Sequence, residues 1–349
     1  MKMRKPLQRK SIHSSSFSKD LAIDLGTANT RVYVKGQGLV LCEPSVAAIN
    51  IARGNKVVAA GYEAQNMEGK APQHIKVIRP MKNGVVADFE IAGGMLRQFI
   101  SKAHNFRPMI RSRIVLCMPA GITQVEKFAV KESARIAGAR EIYLIDAPIA
   151  AGIGANLPMQ KTTASMVVDI GCGIMEAVVV SFAGVIYSHS IHAGGGKMTE
   201  AIMKHVKRKY NMLIGENSAE NIKIQIASAC ALNPERKTEV KGRDLVTGIP
   251  QNIIITSKEI REAISEQVDS VVQAVRLALE QTPPELASDI IDRGIVLSGG
   301  GALLTGLDQV LRDETSLPVT VVDDPLSTVV MGAGNALDNL HFLREVCCD

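Results

Sequence analysis

Leu21-Ala22-Ile23-Asp24-Leu25-Gly26-Thr27-Ala28-Asn29-Thr30 and Met166-Val167-Val168-Asp169-Ile170-Gly171-Cys172-Gly173 are two versions of one element, set 145 positions apart. Each is an apolar run ending in Asp, then an apolar residue, then Gly and a tight turn. One such element is an ordinary strand end. Two imply a duplicated α/β domain, each half bringing a carboxylate and an anion-cradling turn to a shared cleft.

Around the first copy, strands are expected at 21–25 and 31–35, folded about the 26–30 turn. That turn offers backbone N–H groups, two hydroxyls and an amide beside Asp24. The set suits an anion with hydrated Mg2+ on the carboxylate, although Gly, Asn and Thr also make a plain hairpin turn. Helices are expected at 90–103 and 123–137, the latter with Thr123 and Glu126 as a capping box and Gly138 as its stop. Strands at 113–118 and 141–145 complete this half, and 149–154 opens a further helix. The second half repeats the plan with strands at 165–169, 176–182 and 185–191, helices at 199–210 and 218–229, and a polar strand at 237–244. One long helix is expected over 256–280. Thr256 and Glu259 cap it, Ile260, Ile264, Val268, Val271, Val275 and Ala278 mark its buried face, and Pro283 and Pro284 end it. A strand at 294–298 then runs into Gly299-Gly300-Gly301, which lets backbone approach a ligand or simply turns the chain. Glu220 and Lys223, at i and i+3 of a helix, ordinarily decorate a solvated face.

Composition narrows the classes. The chain of 349 residues is 46% hydrophobic and 21% charged, enough for two cored domains. No apolar run reaches the ~18 residues of a membrane span, and the basic N-terminus lacks the apolar core of a secretory signal. Cysteines at 42, 117, 172, 230, 347 and 348 follow no metal or disulfide spacing, which points to a reducing cytoplasm. Lys2, Arg4, Lys5, Arg9, Lys10 and Lys19 exceed the whole net charge of +5, so residues 20–349 net −1. A nearly neutral body with 3% aromatics argues against nucleic acid.

The order of the pieces is specific. Asp24-Leu-Gly-Thr, Asp169-Ile-Gly, Glu220-Asn-Ile-Lys223 and a triple glycine follow one another at the intervals of the actin-type ATPase fold. Val34-Lys-Gly-Gln-Gly-Leu-Val-Leu, Glu43-Pro-Ser-Val, Ile78-Arg-Pro-Met-Lys-Asn-Gly-Val-Val-Ala-Asp88 and Pro283-Pro-Glu-Leu-Ala bring it closer. The chain resembles MreB, the bacterial actin family of rod-shaped cells, from about 20 to about 340. The resemblance implies an α/β actin-like fold: a basic arm at 1–19, a first domain at 20–152 plus 325–345 with a small subdomain near 42–74, and a second domain at 153–324 with a small subdomain near 191–254. It further implies ATP in the central cleft. Thr27, Ala28 and Asn29 would form one phosphate loop and Gly171 and Gly173 the other. Glu220 and Lys223 would lie near ribose and adenine, Gly300, Gly301, Ala302 and Leu303 behind the adenosine, and Asp24 and Asp169 beside Mg2+ through water.

Three departures fall at hydrolysis. The family's Asp-Ile-Gly-Gly-Gly-Thr-Thr-Glu reads here Asp169-Ile170-Gly171-Cys172-Gly173-Ile174-Met175-Glu176, so two hydroxyls expected at the γ-phosphate are gone. Its Glu-Glu-Pro, whose second Glu positions the attacking water, is Asp146-Ala147-Pro148. Its Gly-Gly-Asp-x-x-Asp is Gly194-Gly195-Gly196-Lys197-Met198-Thr199. The expectation is ATP binding with weak or absent ATPase activity.

The family also implies head-to-tail polymers, MreC, MreD and RodZ as partners, and a place on the inner face of the cytoplasmic membrane. Phe106, Met109 and Ile110, rimmed by Arg107, Arg111 and Arg113, are the expected insertion loop, with electrostatic help from the basic arm. The helix at 123–137 is a candidate lateral contact between paired protofilaments. A nucleotide-insensitive subunit that copolymerises with or caps a complete MreB is the alternative.

Overall fold

A computed structural model describes residues 20–105 and 112–347. The basic arm, Phe106, Met109, Ile110 and Cys348 lie outside the described residues.

The duplication is carried into topology. The first sheet runs Glu141–Asp146, Arg113–Met118, Leu21–Leu25, Asn29–Val34, Gly38–Pro44. The second runs Val319–Val321, Ile295–Ser298, Ser165–Ile170, Met175–Ser181, Gly184–Ile191. In both, an antiparallel three-strand meander is extended by two parallel strands.

Period-two alternation sorts the side chains. Leu21 and Ile23 face outward onto Met95, Leu96 and Phe99 of the helix Phe89–Ala103, in a core private to the first half. Burying each of those side chains is worth roughly 1.5–3 kcal/mol. Met166 and Val168 likewise join Ile202, Val206, Val271 and Val275 in a core private to the second half. The intervening residues face the other way. Ala22, Val115 and Cys117 meet Val167, Val178 and Val180 in a third, shared core built around the helices Ala147–Gly154 and Thr328–Asp338. These two helices cross backbone to backbone. A Cβ on Gly332 would overlap the Ala150 carbonyl oxygen, and one on Gly154 would overlap that of Thr328.

Several expectations are corrected. The 256–280 helix is two, Ser257–Ala263 and Ser265–Glu280, because Ile264 leaves helical geometry at φ −103°, ψ 5°. Ser265 Oγ donates to the Glu262 carbonyl (3.1 Å) at that break. Pro284 does not merely stop a helix but opens another, Pro284–Arg293, at the first-turn position where a missing N–H costs nothing. The helix expected from 199 begins at Gly195. Small three-stranded sheets, Ala47–Asn50 with Lys56–Ala60 and Ile75–Ile78, and Met212–Leu213 with Lys237–Asp244 and Pro250–Thr256, contain strands that no sequence pattern announced.

Candidate functional site

Asp24 follows Ala22, and Asp169 follows Val167, on the faces that look toward the other half. Both carboxylates therefore stand at strand ends above the shared core. Their neighbours are set by register. Arg31 and Cys117 flank Asp24, and Glu176 and Ser298 flank Asp169.

The first loop is braced from below. Ser45 Oγ donates to the Gly26 carbonyl (2.6 Å), Ser45 N–H donates to Ala28 O (2.8 Å), and Ser45 and Thr30 hydroxyls share a 2.9 Å bond. Thr27 Oγ1 accepts from Gly84 N–H (2.8 Å), and Ala28 and Asn29 are half-buried beside it. The two loops touch, since a Cβ on Gly173 would stand 2.6 Å from Thr27 Oγ1 and 2.9 Å from Asn83 Cα.

The second loop is held by the N-terminus of the helix Gly195–Tyr210. Gly195 N–H donates to Gly171 O (2.9 Å) and Gly196 N–H to Cys172 O (2.8 Å). Beyond it, Lys223 Nζ donates to Glu220 Oε2 (2.7 Å), Gly195 O (2.9 Å) and Thr199 Oγ1 (3.1 Å). The buried Thr199 hydroxyl donates to Glu220 Oε2 (2.6 Å). Glu220 and Lys223 thus form a closed polar knot with the helix that braces the second loop rather than a free solvated pair. At the third glycine turn, Gly299 (φ +78°) and Gly301 pack onto Ile170, where any side chain would clash. Gly300 faces Leu326, Ala302 is buried and Leu303 is exposed.

The altered positions separate into two kinds. Ile174 lies against Gly84, whose Cβ would stand 3.0 Å from Ile174 Cγ2, and so lines the junction of the loops with hydrocarbon. Met175, by contrast, is fully buried in the second half's private core. The Met175 side chain is thus turned into that core, away from the loop junction that Ile174 lines. Ala147 is the first residue of the helix Ala147–Gly154, and Asp146 precedes it with no capping bond to that helix.

Electrostatics follow burial. Asp24 is pushed up by burial, with Arg31 Nη1 at 3.4 Å from its Oδ2 pulling the other way. Asp169 is pushed up to about 6, chiefly by burial and then by the Asp24 charge, with Ser298 and Arg31 opposing. Ser298 Oγ lies close enough to influence the carboxyl, but neither it nor Asp169 Oδ1 makes a hydrogen bond of good geometry. Glu176 is pushed up to about 8 by burial and by Asp169, although Ala120 N–H (2.8 Å) and Ser190 Oγ (3.2 Å) donate to it. Burial pushes the Cys117 thiol up further still. Among the described residues no cluster of three His, Cys, Asp or Glu could hold a metal directly. The unpartnered Asp169 oxygen does fit an ion held through water.

At the cleft mouth Arg79 reaches Glu216 of the second half (3.7 Å) and Glu68 (3.9 Å). Sequence reasoning missed Arg31, Ser45, Arg79 and the contact of Thr199 with Glu220 and Lys223. Period-two alternation from Tyr33 back to Arg31 was the one available signal for any of them.

The family described as MreB/Mbl protein matches residues 18–345. The chain belongs to the MreB/Mbl family. It is 52% identical over 330 residues to the cell shape-determining protein MreB of Escherichia coli (strain K12), covering 93% of this chain and 95% of that one. It is 45% identical over 329 residues to the cell shape-determining protein Mbl of Bacillus subtilis (strain 168), covering 94% and 98%. Among solved structures, MreB5 of Spiroplasma citri bound to ADP superposes with a TM-score of 0.85 at 32% identity, covering 93% of this chain and 97% of that one. The MamK double helical filament, at 20% identity and TM-score 0.74, shares the fold, covering 92% and 99%. This MreB/Mbl chain is an actin-like cytoskeletal protein of the cell shape-determining type. No described helix is long and apolar enough to cross a membrane.

Proposed function

We propose that this chain is a membrane-peripheral filament protein that binds ATP and hydrolyses it poorly. Thr27, Ala28, Asn29, Gly171 and Gly173 receive the phosphates, Glu220 and Lys223 the ribose and adenine side, and Gly300, Gly301, Ala302 and Leu303 the adenosine. Asp24 and Asp169 face the phosphate side, where Mg2+ held through water would supply charge neutralisation. One relative of 32% identity, crystallised with ADP and with AMPPNP, supports nucleotide binding. The observation that carries poor hydrolysis is Ile174 at the loop junction, with Ala147 at the helix start. Neither side chain can orient a water or accept its proton, each loss being worth about 10²-fold in rate.

Polymerisation, the loop with Phe106, Met109 and Ile110 on the inner membrane surface, and MreC, MreD and RodZ as partners belong to the same reading. Co-sedimentation with anionic vesicles, with and without Mg-ATP, and electron microscopy of the pellet test it. ATP-dependent filaments on lipid are expected. Equal lipid binding without ATP, and no filaments, would replace it with the accessory-subunit reading.

A further inference from the structure

Strand register sets Arg31 directly across from Asp24, and the pair is mostly enclosed, with side-chain exposures of 12% and 19%. Arg31 Nη1 stands 3.4 Å from Asp24 Oδ2, and this is the one hydrogen bond of the guanidinium among the described residues. The distance lies beyond the roughly 2.7–3.2 Å of a firm N–H···O bond. A guanidinium carries five donors in a planar fork that matches phosphate oxygens. Most of this fork is therefore uncommitted to Asp24.

The charge also reaches the other half, since Asp169 feels Arg31. Asp169 Oδ1 is buried and has no hydrogen-bond partner, which marks this floor as facing a ligand. In the second half the place opposite the strand-end acid is held by Glu176, so the duplication supplies no second cation there. Of the nearby acids, Glu220 is tied to Lys223 and Thr199, and Asp146 acts on Glu176.

A polyphosphate approaching two bare carboxylates is repelled, and a divalent ion ordinarily relieves that repulsion. Here one carboxylate already has its counter-ion built into the next strand. We propose that Arg31 is the resident cation of the nucleotide site: it neutralises Asp24 and gives its remaining donors to a phosphate oxygen, so that adenine nucleotide is held with little dependence on a divalent ion. The inference rests on the nucleotide reading above and assigns a residue to it.

Isothermal titration calorimetry with ATP, in Mg2+ and in EDTA, tests it on the full chain and on Arg31→Leu and Arg31→Lys, with thermal melting to establish that each variant is folded. The unaltered chain should lose no more than about threefold in affinity on chelation. Arg31→Leu should lose about tenfold or more in EDTA and recover most of it in Mg2+. Arg31→Lys, which keeps the charge without the fork, should fall between and remains informative if the leucine variant does not fold. The proposal is overturned if the unaltered chain requires Mg2+, or if either folded variant binds in EDTA as well as the unaltered chain does. Absence of ATP binding in both buffers overturns the nucleotide reading itself, and this inference with it.

Discussion

Cys42, Arg31, Asp24 and Cys117 form a row across the first sheet; Ser190, Glu176, Asp169 and Ser298 form the matching row across the second. The positions correspond one to one, yet the chemistry is opposite. In the first row the strand-end acid faces a guanidinium. In the second it faces another acid; burial lifts the first carboxyl to about 6, and burial with the Asp169 charge lifts its neighbour to about 8. Duplication preserved where side chains point while leaving free what charge they bring. Burial raises both strand-end acids, and in the first row the facing guanidinium pulls against it.

The largest effect is expected from breaking the joint that holds the rows face to face. Gly332→Leu should cost at least about 4 kcal/mol or abolish folding, read by urea denaturation, because backbone at Ala150 leaves no volume for a side chain. Next comes the asymmetry itself. Asp24→Asn strands an enclosed Arg31 and should cost about 3 kcal/mol. Asp169→Asn relieves a like-charge contact and should gain about 1 kcal/mol at pH 8. Equal losses at both positions would dissolve the distinction between the halves.

A smaller effect separates the two altered residues of the second loop. Met175→Thr should cost about 2 kcal/mol without raising ATP turnover, because it places a hydroxyl in a dry core. Ile174→Thr combined with Ala147→Glu should raise turnover about tenfold or more, measured as phosphate release. Smallest is the pH dependence carried by Glu176. Its folded value of about 8 lies above the ordinary 4.5, so the folded chain keeps a proton that the unfolded chain has lost. The stability this gives is complete below 4.5 and drains away as pH rises through 8. Glu176→Gln should flatten that slope and gain on the order of 1 kcal/mol at pH 9 in thermal melts.

How much of this was legible in the chain depended on distance along it. Asp24 and Asp169 were readable because each sits inside its own apolar run and repeats. Glu220 and Lys223 were readable as neighbours, but the knot they make with Thr199 and Gly195 is tertiary, and no spacing announces it. Arg31 lies a hairpin away from Asp24, so its role emerges only when strands pair. Ile174 and Met175 part where the loop enters the strand, Ile174 lying against Gly84 and Met175 turning into the second half's core, which the sequence does not distinguish. The long helix expected over 256–280 failed because apolar spacing continues unbroken through Ile264, which stays fully buried while the backbone bends.

The helices Ala147–Gly154 and Thr328–Asp338 both begin near the strand ends that carry the loops. Both run toward a groove of about 530 Å³ lined by Asn156, Leu157, Met159, Asn335 and Phe342. With glycines touching backbone at their crossing there is no compressible layer between them. A side chain at either glycine would force the two backbones apart, so this crossing sets how closely the halves approach. The loops at one end and the groove at the other are thus spanned by the same pair of locked helices, one rigid strut shared by both halves.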